Sequence, residues 1–159
     1  MIYTKNELSC NVNKAAMGNV TVKYINNLQL GIVAGGHKLI ADEPKEKGGD
    51  DLGPTPEEYL LAALGSCTAM TLLMYARRKN MPLESVEVDL SLKREPNQDA
   101  AGAEDKKNVT EKITREIHVK GNLSEQEKNR LLEIAQKCPV HKTITSKPQV
   151  EDTILLNQR

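Results

Sequence analysis

The succession of hydrophobic patterns along the chain predicts an α+β fold, with strands and helices in separate runs rather than in strict alternation. Three observations carry this. Alternating apolar residues mark strands before residue 45 and again between residues 86 and 119. A long segment that is apolar nearly all round, opened by a capping signal, separates the two strand groups. An amphipathic helical stretch with its own capping signal follows the second group.

The elements follow in order. Val20, Val22 and Tyr24 share one face of an alternating run over 19–24, the period of a strand. Leu28 to Ala34 is a second apolar run, closed by Gly35-Gly36, and His37 to Asp42 forms a third. Pro44, Gly48, Gly49 and Gly53 mark the polar stretch 43–53 as a loop. Thr55, Pro56 and Glu58 then supply an N-cap, a first-turn proline and the third member of a capping box. The helix they open carries Leu60, Leu61, Leu64, Met70, Leu72, Leu73 and Met74. It ends at Arg77-Arg78-Lys79, whose charges suit the negative end of the helix dipole, with Asn80 and Pro82 beyond. A helix this apolar belongs at the centre of a fold, buried. Val86, Val88, Leu90 and Leu92 alternate with polar residues, as do Val109, Ile113, Ile117 and Val119, which predicts a long hairpin. Its charged tip, 95–108, carries no motif and is expected to be a mobile loop. Ser124 and Glu127 form a second capping box ahead of Leu131, Leu132, Ile134 and Ala135, and a last strand is expected over Val150 to Leu156.

The 159 residues suffice for one domain with its own core. Lys plus Arg and Asp plus Glu each number 22, so net charge draws no polyanion to the surface. Four Tyr with no Phe or Trp leave little for stacking on bases. These counts argue against nucleic acid as the partner. Residues 1–7 lack the basic start and apolar block of a leader, and the longest fully apolar run, Tyr59 to Leu64, is too short for a bilayer. A cytoplasmic protein without a membrane partner is the expectation. Its three cysteines then read as free thiols, a redox pair or metal ligands.

Two of those cysteines sit in distinctive settings. Cys67 lies in the apolar helix, with Leu60, Ala63, Met70, Thr71 and Met74 on its face. Its bland reading is a small buried residue, made inert by its surroundings. Cys138 precedes Pro139, which disfavours helical geometry at the thiol and suits the first position of a further short helix. A thiol at such a start has its pKa lowered, and His141 and Lys142 lie close in sequence as sources of positive character. His141 reads equally as a surface or capping residue. Glu57 stands ten residues before Cys67, about 15 Å along a straight helix. It reaches that thiol only if the helix breaks, for instance at Gly65, or if a second subunit supplies it; otherwise it is a favourable acid in a first turn. Cys138 and His141 also have the spacing of a metal pair, with Cys67 and Glu57 as further ligands, although a closed zinc site usually has two such pairs. Cys10 has no companion motif and reads as structural or exposed.

At these residues the chain resembles the OsmC/Ohr family of thiol-dependent hydroperoxide reductases, and within it the broad OsmC-like branch. The resemblance runs from about His37 onward through Asp42-Glu43-Pro44, Gly48-Gly49, Gly53-Pro54-Thr55-Pro56-Glu57, Ala62-Ala63-Leu64-Gly65-Ser66-Cys67 and Cys138-Pro139-Val140-His141-Lys142-Thr143. It implies one OsmC-like domain over residues 1–159. It also implies an intertwined homodimer with antiparallel sheets around a long buried central helix and two sites at the subunit interface. Cys67 would be the peroxidatic thiol, Cys138 the resolving thiol, and Glu57 the active-site acid that helps hold a catalytic arginine.

The implied activity is organic hydroperoxide reduction. A Cys67 sulfenic acid condenses with Cys138 to a disulfide, which an external dithiol reduces, with no metal or organic cofactor. Walls of Leu60, Met70 and Met74 would favour a small apolar hydroperoxide. One feature departs from the family pattern. The peroxidases take their catalytic arginine from the N-terminal part, and no Arg precedes Arg77 in this chain. Lys14, Lys23, Lys38 and His37 are the cations there, and none offers the two-pronged fork of Arg. The alternative function is therefore a non-enzymatic dimer that binds a small apolar ligand or senses redox state.

Overall fold

A computed structural model describes residues 18–96 and 109–156 of the chain. Cys10, Lys14 and all of the 95–108 loop except Glu95 and Pro96 lie outside the described residues. The chain divides into two compact units, one up to Leu60 and one from Leu61.

In the first unit, strands β1 (Val20–Asn26), β2 (Gln29–Ala34) and β3 (His37–Ala41) form an antiparallel sheet in sequence order. The turn from β2 to β3 needs positive φ at both central residues, and Gly35 and Gly36 supply it at φ 55° and 88°. The three strands stand where alternation placed them. The apolar face of β1 does not point inward, however: Val20, Val22 and Tyr24 are all exposed. Among the described residues of this unit no layer lies over that face.

The loop after β3 is built around Asp42, which is buried. Its carboxylate accepts backbone N–H bonds from Glu43 at 2.8 Å, and from Asp50 and Leu52 at 3.2 Å each. One acid thus satisfies three donors that would otherwise be orphaned, which explains an Asp at this point of the sequence. Gly49 and Gly53 are required by close approach. A Cβ on Gly49 would lie 1.8 Å from the Glu43 carbonyl oxygen, and one on Gly53 would lie 2.5 Å from that of Ile40. The Tyr59 hydroxyl donates to the Ile40 carbonyl at 2.6 Å.

Helix α1 (Pro56–Lys79) starts in this unit and continues into the second. Its capping box forms as the sequence predicts: the Thr55 hydroxyl accepts from Glu58 N–H at 3.2 Å, and the Glu58 carboxylate accepts from Thr55 N–H at 2.7 Å. By length and composition alone α1 could cross a membrane. Here it lays one face, built on Leu64, Thr68, Leu72 and Ala76 at four-residue spacing, into the protein.

The second unit contains the antiparallel hairpin of β4 (Leu83–Pro96) and β5 (Val109–Gly121), then α2 (Glu125–Ala135) and α3 (Pro139–Thr145). Leu72 of α1 packs with Leu131, Ile134 and Ala135 of α2, and Val86, Ile117 and Val119 of the hairpin close over them. A Cβ on Gly65 would stand 2.8 Å from Leu90 Cδ1, a measure of how near helix and hairpin run. Ser124 and Glu127 complete the second capping box.

Two expectations are corrected. Residues 150–156 form no strand; Val150, Ile154, Leu155 and Leu156 are exposed and have no partner strand among the described residues. An isolated apolar run cannot satisfy its backbone as a strand without a neighbour to pair with. Helix α1 is also not buried all round. Met70 is 62% exposed and Met74 70% exposed, because one hairpin and one helix cover only one of its faces.

Candidate redox site

The centre of interest lies where α1 meets the start of α3. Cys67 faces outward by one step from the buried stripe of α1 and is half-buried, while Cys138 is fully buried. Cys138 takes φ −57° and ψ 134°, the non-helical geometry that Pro139 imposes on it, and acts as the N-cap of α3. The backbone N–H of His141 donates to Cys138 Sγ at 3.4 Å.

The two thiols are close enough for each to shift the other's proton affinity, and the Val140 N–H acts on both. Their proton affinities separate. Burial pushes the Cys67 thiol up, the neighbouring Cys138 sulfur pushes it further, and the Val140 N–H only partly opposes this. Burial also pushes Cys138 up, but the S–H of Cys67, the N–H groups of His141 and Val140 and the Thr68 hydroxyl outweigh it and hold Cys138 below its ordinary value. The directions give Cys138 the lower proton affinity of the pair.

One residue at this site escaped the sequence reading. Arg115 of β5 is partly buried, and its Nη1 donates to Thr68 Oγ1 at 2.8 Å and to the Ala135 carbonyl at 3.4 Å. Thr68, fully buried on α1, sits 4.0 Å from Cys138 Sγ through the same hydroxyl oxygen. The signal was present. Ile113, Arg115, Ile117 and Val119 share the inward phase of β5, so Arg115 interrupts an apolar stripe with a charge.

An open cleft of about 350 Å³ is lined by Leu64, Ile113 and Ile144, with Arg115, Glu111 and His141 among its polar groups. Leu60, Met70 and Met74 do not line this cleft and are exposed. His141 contributes its backbone N–H to the thiol, while its side chain lines the cleft. Glu57 lies in the first turn of α1, in the first unit. Helix α1 runs unbroken through Gly65, so the helix break that would bring Glu57 to Cys67 does not occur. Lys23, Lys38 and His37 belong to the first unit. Among the described residues no group of three or more His, Cys, Asp or Glu side chains is disposed to hold a metal ion.

An antiparallel α+β scaffold that sets a helix-borne thiol against the N-cap thiol of a following helix defines a class of dithiol protein. The model of the OsmC-like protein family matches residues 48–152, which include both cysteines. The chain belongs to that family. No curated protein sequence matches it. Solved structures share its fold. An OsmC-like protein from Mycoplasma pneumoniae superposes with a TM-score of 0.66 at 18% identity, covering 84% of this chain and 90% of the other. A protein of Psychrobacter arcticus, described as an osmotic stress induced and detoxification response protein, gives 0.65 at 19% identity, covering 83% and 91%. The organic hydroperoxide resistance protein OsmC of Legionella pneumophila gives 0.60 at 21% identity, covering 82% and 90%.

Proposed function

We propose that this chain is a thiol-dependent peroxidase that reduces organic hydroperoxides, with Cys67 as the attacking thiol and Cys138 as the resolving one. The observation that carries the reading is the placement of Cys67 on α1 next to Thr68, whose hydroxyl lies 4.0 Å from the Cys138 sulfur at the start of α3. Cys67 is the more accessible sulfur, and Leu64, about one turn before it on α1, lines a cleft with apolar walls.

The Cys67 sulfur attacks the terminal oxygen of the hydroperoxide as its proton passes to Cys138. The O–O bond breaks, and the departing alkoxide recovers a proton from Cys138 to leave as the alcohol. Cys67 is now a sulfenic acid and Cys138 a thiolate again. Cys138 attacks the Cys67 sulfur, the S–S bond forms, the S–O bond breaks and hydroxide leaves. An external dithiol in the cytoplasm restores both thiols by exchange. We further propose that the working form is a homodimer in which a second copy covers the exposed apolar faces of α1 and β1, and that Glu57 acts in that assembly. The Legionella pneumophila protein of the same fold is an organic hydroperoxide resistance protein, which supports the substrate class.

The alternative reading is a binding protein whose thiols take no part in turnover. The lack of any Arg before Arg77 favours it. Intact mass of fully reduced protein after one equivalent of cumene hydroperoxide separates the two. A prompt loss of two hydrogens that maps to a Cys67–Cys138 bond, and is abolished by Cys67→Ser, is expected. No mass change over minutes refutes the peroxidase reading.

A further inference from the structure

Arg115 is a partly buried guanidinium at an inward position of a hairpin strand, where its neighbours in phase are Ile113 and Ile117. Burying such a charge is costly unless it is paired. Among the described residues its hydrogen bonds go to two neutral acceptors, the Thr68 hydroxyl and the Ala135 carbonyl, and none to a carboxylate. Glu111, which lines the same cleft, is paired instead with Arg94 at 2.9 Å.

Thr68 links this cation to the thiols. Its hydroxyl oxygen accepts from Arg115, so its single proton has two places to go: the Leu64 carbonyl at 2.7 Å or Cys138 Sγ at 4.0 Å. Negative charge on the sulfur draws that proton toward it, and the guanidinium makes the hydroxyl a stronger donor. The other groups about Cys138 are Cys67 on α1 and the His141 and Val140 N–H groups at the start of α3. None of them carries a formal positive charge.

We propose that Arg115, acting through Thr68, is the positioning residue that keeps Cys138 as the attacking thiolate of the resolving step. This rests on the peroxidase reading above. It places a cation beside the resolving thiol, supplied by the hairpin. The oxidant remains the organic hydroperoxide, and Arg115 neither gains nor loses a bond in the step.

The test separates the two chemical steps. Reduced wild-type, Arg115→Met, Arg115→Lys and Thr68→Val proteins are mixed with cumene hydroperoxide and quenched at intervals with dimedone, which traps sulfenic acid, and the products are followed by mass spectrometry. Arg115→Met keeps the bulk of the stem, and Thr68→Val is isosteric, so loss of fold in one leaves the other to decide. The expected result is resolution about tenfold slower in Arg115→Met and Thr68→Val, the loss of one charge-assisted hydrogen bond, with sulfenic acid accumulating. Arg115→Lys should recover much of the rate. Wild-type resolution in both variants overturns the proposal, and so does a slowed first step with resolution intact.

A second readout needs no peroxide chemistry. In a Cys67→Ser background, the ultraviolet absorbance of the thiolate titrates Cys138. Arg115→Met and Thr68→Val should each raise its apparent pKa by about one unit. An unmoved titration overturns the role of Arg115, whereas wild-type protein inert to peroxide overturns the peroxidase reading itself.

Discussion

Replacing both Met70 and Met74 by Glu should abolish the proposed dimer while leaving the fold of the single chain intact. Both side chains lie on the face of α1 opposite Leu72, and they are 62% and 70% exposed. Fully burying a Met stabilises by about 1.5–3 kcal/mol, so covering the two-thirds that is open contributes about 1–2 kcal/mol per side chain. A symmetric dimer covers four of them, which makes about 4–8 kcal/mol of association energy at stake. At about 1.4 kcal/mol per factor of ten, even the lower bound weakens association roughly a thousandfold. Four carboxylates forced into the same contact would add to the penalty. The assay is size-exclusion chromatography with light scattering, in parallel with far-ultraviolet circular dichroism. The wild type should run with twice the chain mass and the variant with one, with matching spectra. A wild type that is monomeric at about 100 μM, or a variant that stays dimeric, would refute the inference that a second copy covers this face.

Two further outcomes follow from the second unit. Gly121 ends β5 at φ 147°, and a Cβ there would stand 2.0 Å from the Pro82 carbonyl oxygen. Gly121→Ala should therefore cost about 3 kcal/mol or more in urea unfolding, and a change below about 0.5 kcal/mol would show that the close approach is wrong. The separated thiol affinities also make the stability of the reduced protein depend on pH. Because the folded state holds Cys138 below its ordinary value, the unfolded chain binds more protons between that lowered value and the ordinary one. Cys138 therefore adds stability as pH rises through this window and loses it as pH falls through its folded value. Cys67 is raised, so its contribution is lost above the ordinary thiol value. Cys138→Ala should flatten the rise seen in thermal melts at mildly alkaline pH, and an unchanged slope would contradict the assignment of charge to Cys138.

Much of the local structure was legible because local chemistry sets it. The two capping boxes, the glycine turn at Gly35-Gly36 and the extended geometry of Cys138 before Pro139 each depend on residues within a few positions of one another. The order of strands and helices followed from hydrophobic period alone, except at 150–156, where an apolar run lacks the neighbour that a strand requires. Which apolar face turns inward was not legible for α1 or β1. A helix apolar on all sides and a strand with Val20, Val22 and Tyr24 on one face announce burial without naming what covers them.

The sequence by itself determined that this is an α+β chain with two separated cysteine motifs, because periodicity, caps and the constraint of proline are written within short windows. Only the tertiary structure decided that Cys67 and Cys138, 71 positions apart in the sequence, come close enough to shift each other's proton affinity. It also decided that Arg115 reaches Thr68 beside them. Those contacts join a helix, a hairpin strand and a helix start. Their geometry follows from how the hairpin packs across α1, which no local pattern encodes.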